Sequence, residues 1–103
     1  MTYDNELILI TPGRIEEDEL GNQIPIDPVE TPIYCGVKSI GRTEYYNAAA
    51  TGLRPEIIFV VHAYEYDEQK QIRFDGVEYR VMRTYEVDFE ELELTCEKVA
   101  ADG

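Results

Sequence analysis

Apolar side chains in this chain fall into short runs divided by turn-forming residues, and within each run the spacing is that of strands. Leu7 to Thr11 is continuously aliphatic, the pattern of a strand covered on both faces or set deep in a small barrel, and Pro12 ends it. Ile33 to Ile40 alternates, with Ile33, Cys35 and Val37 on one face and Tyr34 and Lys38 on the other. Glu56 to Tyr66 is the strongest strand: Ile57, Phe59, Val61 and Ala63 oppose Ile58, Val60, His62 and Tyr64, so both faces are apolar and the strand belongs in a central position. Gln71 to Phe74 and Val77 to Arg83 flank Asp75-Gly76, the signature of a tight primed hairpin turn. Ile72, Phe74, Val77, Tyr79 and Val81 would supply core there, while Arg73, Glu78, Arg80 and Arg83 take the other face. In Glu91 to Lys98, Leu92, Leu94 and Cys96 are expected to face inward and Glu91, Glu93, Thr95 and Glu97 outward. Ala100 to Gly103 should fray.

Two segments interrupt this pattern. Residues 13 to 32 mix acids, Gly21-Asn22 and several prolines, which predicts an exposed, mobile loop or a long hairpin with its tip at Leu20 to Gln23. Residues 41 to 55 contain helix formers, Tyr45, Tyr46 and Ala48 to Ala50, after a possible cap at Thr43, and Gly52 and Pro55 stop them. Together these elements predict an all-β fold, a small antiparallel barrel or sandwich of about six strands with one short helix between two of them.

A chain of 103 residues has room for one domain, 1–103, with a modest core. Hydrophobic residues make up 44%, enough for folding although 30% of residues are charged. The balance of 9 basic against 22 acidic residues, a formal net charge of -13, argues against gripping nucleic acid, which needs clustered Lys and Arg. Such acidity keeps a small protein soluble and monomeric when alone. Cys35 and Cys96 lack metal or redox spacing and read as reduced core thiols. MTYDNELILI has no basic n-region, so neither a secretory nor a membrane segment is expected, and a cytoplasmic setting follows.

Candidate chemistry is sparse. His62 is the only histidine, and without a nameable acid or nucleophile beside it a structural role is favoured over a base or ligand. The contiguous acids Glu16 to Glu19 lack the alternating spacing of a calcium loop and read as a solvated charge run. There is no Ser-centred elbow, no Gly-rich phosphate loop and no spaced ligand set, so neither an enzyme nor a bound cofactor or metal is expected. Arg73, Arg80 and Arg83 form the one basic cluster, either a docking patch for an acidic surface or a set of cross-strand ion pairs.

In their order, SIGRTEYYNAA, GLRPEIIFVVHAY, IRFDGVEYRVMRTY and LELTCEK resemble the head-closure or head-tail joining proteins of tailed phages, the adaptors and stoppers of the neck, over roughly Ile33 to Lys98. Arg42-x-Glu44-Tyr45-Tyr46-x-Ala48 with Gly52-x-x-Pro55-Glu56, and Asp75-Gly76-x-x-Tyr79-x-Val81 with Arg83, carry the resemblance. The Glu16 to Glu19 run and the Ile24 to Pro32 link have no counterpart in that pattern. The resemblance implies a virion structural protein, made in the bacterial cytoplasm. It would be monomeric when isolated and assembled as a ring between a connector or adaptor ring and a tail-completion protein, with genome DNA passing through the channel without specific binding. It also implies subunit or partner contacts at Arg42, Glu44, Tyr45, Tyr46, Arg54, Pro55, Glu56, Arg80 and Arg83. Tyr45 and Tyr46 would be contact anchors on a hinged segment, or residues 41 to 55 would cap the barrel end with Tyr45 and Ala49 as core. Two other classes remain open: an acidic DNA mimic that inhibits a DNA-handling enzyme, suggested by the outward Glu row of the last strand, and a small β binding module that adds a strand to a partner.

Overall fold

The computed structural model describes residues 2–50, 52 and 55–99, and for Glu44, Tyr45 and Ala48 the backbone alone. The frayed end expected at Ala100 to Gly103 lies outside the described residues. Six strands close into an antiparallel barrel: β1 (Asn5–Thr11), β4 (Val29–Lys38), β5 (Ile57–His62), β8 (Glu91–Lys98), β7 (Val77–Glu86) and β6 (Gln71–Phe74), in that order around the wall. The β6–β1 pairing completes the circle, with Leu9 opposite Ile72. Closure leaves the wall without a free edge along its paired stretches. β2 (Arg14–Glu17) and β3 (Gln23–Ile26) form a separate two-stranded sheet.

Inward alternation builds the core. Leu7, Leu9, Ile33, Cys35, Phe59, Val61, Ile72, Leu94 and Cys96 are buried inside the barrel. Phe59 lies near the centre, its ring 5.0 Å from Phe74 and 5.5 Å from Tyr79, the latter edge-on. At the β6–β7 hairpin Asp75 and Gly76 both take positive φ, 52° and 77°, and Phe74 pairs with Val77, as a primed two-residue turn requires. β7 carries a bulge between Val81 and Arg83 that interrupts the register with β8. Beyond it Arg83 pairs with Thr95 and Tyr85 with Glu93, which turns both side chains outward.

The runs without polar alternation, β1 and β5, are buried on their outer faces too. On β5, Ile58 and Val60 point away from the core and are still only 5% and 1% exposed. Lys38 on β4 pairs with Ile58, and Glu93 on the opposite neighbour β8 pairs with Val60. Their side chains meet at 2.8 Å, so the ion pair bridges the outer face of β5. One step along, Tyr3 stacks on His62 at 4.0 Å and donates its hydroxyl to Glu91 at 3.0 Å, crossing the same strand. On β1 the geometry repeats: Arg73 of β6 and Glu30 of β4 meet at 2.7 Å across the outer face at Ile8 and Ile10. Long charged side chains thus cover apolar surface with their stems while their heads pair above it.

Three expectations are corrected. Thr95 is buried, not outward in solvent, because it sits beside Ile58 under this outer cover. Val37 keeps the inward phase but is 39% exposed, because it lies at the open lower mouth of the barrel. The start of the second expected strand also moves, from Ile33 to Val29, so the connection between β1 and β4 is shorter than 13–32, and of the two forms expected for it the hairpin is the one present, turning between Glu17 and Gln23. Pro32 is accepted inside β4 because only Gly36, Val37 and Lys38 pair with β5, leaving the first part of the strand with one bonded side.

The β2–β3 hairpin stands off the barrel as an arm. Its ladder continues that of β1 and β4 after a kink at Pro12-Gly13 and Asp27-Pro28. Gly13 is required at the kink, since a Cβ there would come within 2.8 Å of the Ile26 carbonyl oxygen and 3.1 Å of Pro28. The radius of gyration, 15.8 Å, exceeds the roughly 13 Å of a compact chain of this length, and the longest dimension is 53 Å.

Candidate functional site

Side chains that the wall does not use collect at the two ends of the barrel. At the lower end, where β4 stops and β5 starts, the chain forms α1 (Arg42–Ala49), and Gly52 with φ of 85° turns it away. Beside α1 runs a solvent-open groove of about 750 Å³ lined by Val37, Lys38, Ser39, Ile40, Arg42, Tyr46, Pro55, Glu56 and Ile57. It therefore gathers Arg42, Tyr46, Pro55 and Glu56 from the motif residues. Tyr46 is 65% exposed and Pro55 is buried, so the two differ in what they offer a partner. The Glu56 amide donates to the Cys96 carbonyl at 2.9 Å, which ties the groove wall to β8. Arg54 and the side chains of Glu44 and Tyr45 lie outside the described residues.

Arg80 and Arg83 are not in the groove but on β7. Arg80 forms an ion pair with Glu97, its cross-strand neighbour, and Arg73 pairs with Glu30 and, at 3.8 Å, with Glu78. Arg83 is engaged as well. The basic cluster is thus largely a set of cross-strand ion pairs.

At the upper end two hairpin tips project, each organised by an aspartate. In the arm, the Asp18 carboxylate accepts the amides of Leu20 at 2.9 Å and Asn22 at 2.8 Å, and these bonds hold its acidity on the strong side of an ordinary carboxyl. In the β7–β8 turn, Asp88 accepts the amides of Glu90 and Glu91, both at 2.8 Å. Each turn presents one bare apolar side chain: Leu20, which follows the acids Glu17 to Glu19, is 86% exposed, and Phe89, between Asp88 and Glu90, is 85% exposed. The sequence placed Leu20 at a hairpin tip without marking it as a contact and left Phe89 unmarked, although an apolar residue next to Asp18 and Glu19 and another between Asp88 and Glu90 were the available signal.

His62 is sandwiched between Tyr3 and Tyr64, the second ring 5.4 Å away. An acid does stand beside it, since Glu91 is its cross-strand partner and takes the Tyr3 hydroxyl. Burial, then the bond to Glu91 and the nearby acids, push the Tyr3 phenol up to about 12. Among the described residues no group of three or more His, Cys, Asp or Glu is placed to hold a metal ion. Cys35 and Cys96 are free, buried thiols pushed up to about 11 and about 12 by burial, which makes them poor nucleophiles. No described helix is long and apolar enough to cross a membrane.

Among known proteins, no family model matches the chain and no curated protein matches it. The fold and the exposed surfaces define a small closed antiparallel barrel with an extended arm at one end and a helix-bordered groove at the other.

Proposed function

We propose that this protein is a structural subunit of the neck of a tailed phage or prophage, assembling as a ring at the head-tail junction that completes the DNA-filled head and receives the tail. The observation that carries the reading is the division of labour in the chain: a closed barrel satisfies its own strand edges, while an arm and a groove are left exposed at opposite ends. A subunit with different surfaces at its two ends makes heterologous contacts, and such contacts close into rings when the rotation per subunit permits. Repeated around an axis, -13 charges per copy would line a channel that repels passing DNA and does not hold it.

The DNA-mimic reading needs a free row of carboxylates. On β8 that row is occupied: Glu91 accepts from Tyr3, Glu93 pairs with Lys38 and Glu97 pairs with Arg80. Sides open to strand addition by a partner include the arm and the first part of β4, where Pro25 and Pro32 lack amide donors, and the far end of β7, which is paired with β8 alone. The ring reading is tested by deleting the gene in frame from the phage or prophage that carries it. DNA-packed heads without tails are expected, and a normal yield of tailed, infectious particles would reject it.

A further inference from the structure

The upper half of β7 has a strand partner on one side only. β6 pairs with β7 from Val77 to Arg80, and the last bond on that side runs from the Val81 amide to the Lys70 carbonyl at 2.9 Å. From Arg83 to Glu86 the strand is paired with β8 alone. The phase of that ladder fixes which backbone groups are left over. The Val87 amide donates to the Glu91 carbonyl at 3.0 Å, and bonded and unbonded positions alternate along an antiparallel pair, so Tyr85 opposite Glu93 and Arg83 opposite Thr95 also turn their backbones to β8. Thr84 and Glu86 therefore turn an amide and a carbonyl each to the other side, where no described residue pairs with them. The bulge sets this phase: below it Val81 bonds toward β6, and above it Arg83 bonds toward β8. Thr84 and Glu86 are exposed, and such a row of donors and acceptors is a template for one more strand.

Side chains along the edge set the chemistry of the strand that fits it. Glu86 stands on the edge and Asp88 and Glu90 in the turn that follows, and among the described residues none of the three is in an ion pair. The one cation in residues 82–90, Arg83, is already engaged. Tyr85, 64% exposed, flanks Glu86 on the outer face. A second copy is a poor occupant, because its arm strands bring Glu16 and Glu17 or the amide-less Pro25 to this acidic edge, between two chains of net charge -13. We propose that the β7 edge at Thr84 and Glu86 takes up an extended basic segment of a different protein as an added strand, with a Lys or Arg opposite Glu86 and an apolar residue opposite Tyr85. Four backbone bonds set the register of the segment, and its alternate side chains meet the carboxylate on one face and the tyrosine ring on the other. The edge is preformed by its pairing with β8, so binding orders the incoming segment alone. This inference goes beyond the ring reading and does not depend on it.

Amide hydrogen exchange, read by NMR on the isotope-labelled full chain, tests the edge. The probe is the peptide acetyl-Thr-Lys-Val-Lys-Val-Lys-Thr-amide, added up to about 2 mM at about 0.05 M salt. Exchange of the Thr84 and Glu86 amides should slow severalfold, while Arg83 and Tyr85, already bonded to β8, change little. The same peptide methylated on the backbone nitrogen of every lysine and valine keeps its charge but lacks donors, and it should give no protection. Thr84→Pro deletes an outward amide without removing a bond to β8, so it should keep the unfolding midpoint of the parent and weaken peptide binding roughly tenfold. Glu86→Gln should weaken it severalfold. The exchange pattern of the parent protein decides the matter should Thr84→Pro not fold. No change at Thr84 and Glu86, protection spread over the acidic surface, or equal protection from the methylated peptide would overturn the proposal. Protection of the two amides that rises with protein concentration in the absence of peptide would assign the edge to a second copy and overturn it as well.

Discussion

Replacing Lys38 by alanine and, separately, by methionine divides the two roles assigned to one side chain that crosses β5. The ammonium group pairs with Glu93 at 2.8 Å, with the two side chains 44% and 18% exposed, so the charge interaction itself is worth at most about 1 kcal/mol. The stem of Lys38 covers Ile58 and Val60, which are 5% and 1% exposed. Uncovering roughly 40 Å² of that surface would cost about 1 kcal/mol at ~25 cal/mol per Å². Both substitutions leave Glu93 without this partner, so that loss cancels in the comparison. Lys38→Met, which keeps an apolar stem, should cost about 0.5–1 kcal/mol, and Lys38→Ala about 1.5–2 kcal/mol. Urea denaturation followed by circular dichroism measures both. Alanine's weaker strand preference accounts for only a few tenths of the difference. If the two variants agree to within about 0.3 kcal/mol, the stem does not shield β5 and the account of the outer cover is wrong.

Several further outcomes can be checked on the same protein. Because burial holds the Cys35 and Cys96 thiols at about 11 and about 12, above the ~8.5 of an unfolded chain, the native state favours their protonated forms. Their contribution is intact below pH 8.5 and lost as pH rises beyond it, on the order of 1 kcal/mol per thiol at pH 9.5. A variant with both cysteines changed to alanine should lack that decline in denaturation experiments at pH 7.5 and 9.5, whatever its stability at the lower pH. Gly13→Ala forces a Cβ onto the Ile26 carbonyl at 2.8 Å. Amide exchange of the arm should therefore accelerate severalfold while the barrel core exchanges as before. Gly76→Ala meets no neighbouring atom but must hold φ near 77°, which should lower stability by about 1 kcal/mol in urea denaturation. Leu94→Ala removes a fully buried side chain opposite Phe59 and should cost about 2–5 kcal/mol, read as a lower midpoint in the same assay.

Local residue order determined much of this protein. Period-two alternation placed β8 and the inward face of β5, and Asp75-Gly76 set the β6–β7 turn, because a strand's faces and a two-residue turn depend on neighbours within a few positions. The apolar outer faces of β1 and β5 were also legible, as runs without polar alternation. What covers them was not. The ion pairs Lys38–Glu93 and Arg73–Glu30 join residues 55 and 43 positions apart, and Tyr3 reaches Glu91 across 88. No short window contains both ends of such a bridge.

For the candidate site the division is similar. Arg42, Tyr46, Pro55 and Glu56 could be singled out from their motif, but only the end-to-end course of β4 puts them 30 Å from the arm, roughly ten residues at 3.3 Å each. Exposure of Val37 and burial of Thr95 were each decided by where the barrel wall closes, and the outward face expected for Arg83 is reached only through the bulge in β7. The physical reason is that pattern specifies which side of a strand is apolar, whereas closure specifies what stands against that side, and the second is a property of strands brought together from distant parts of the chain.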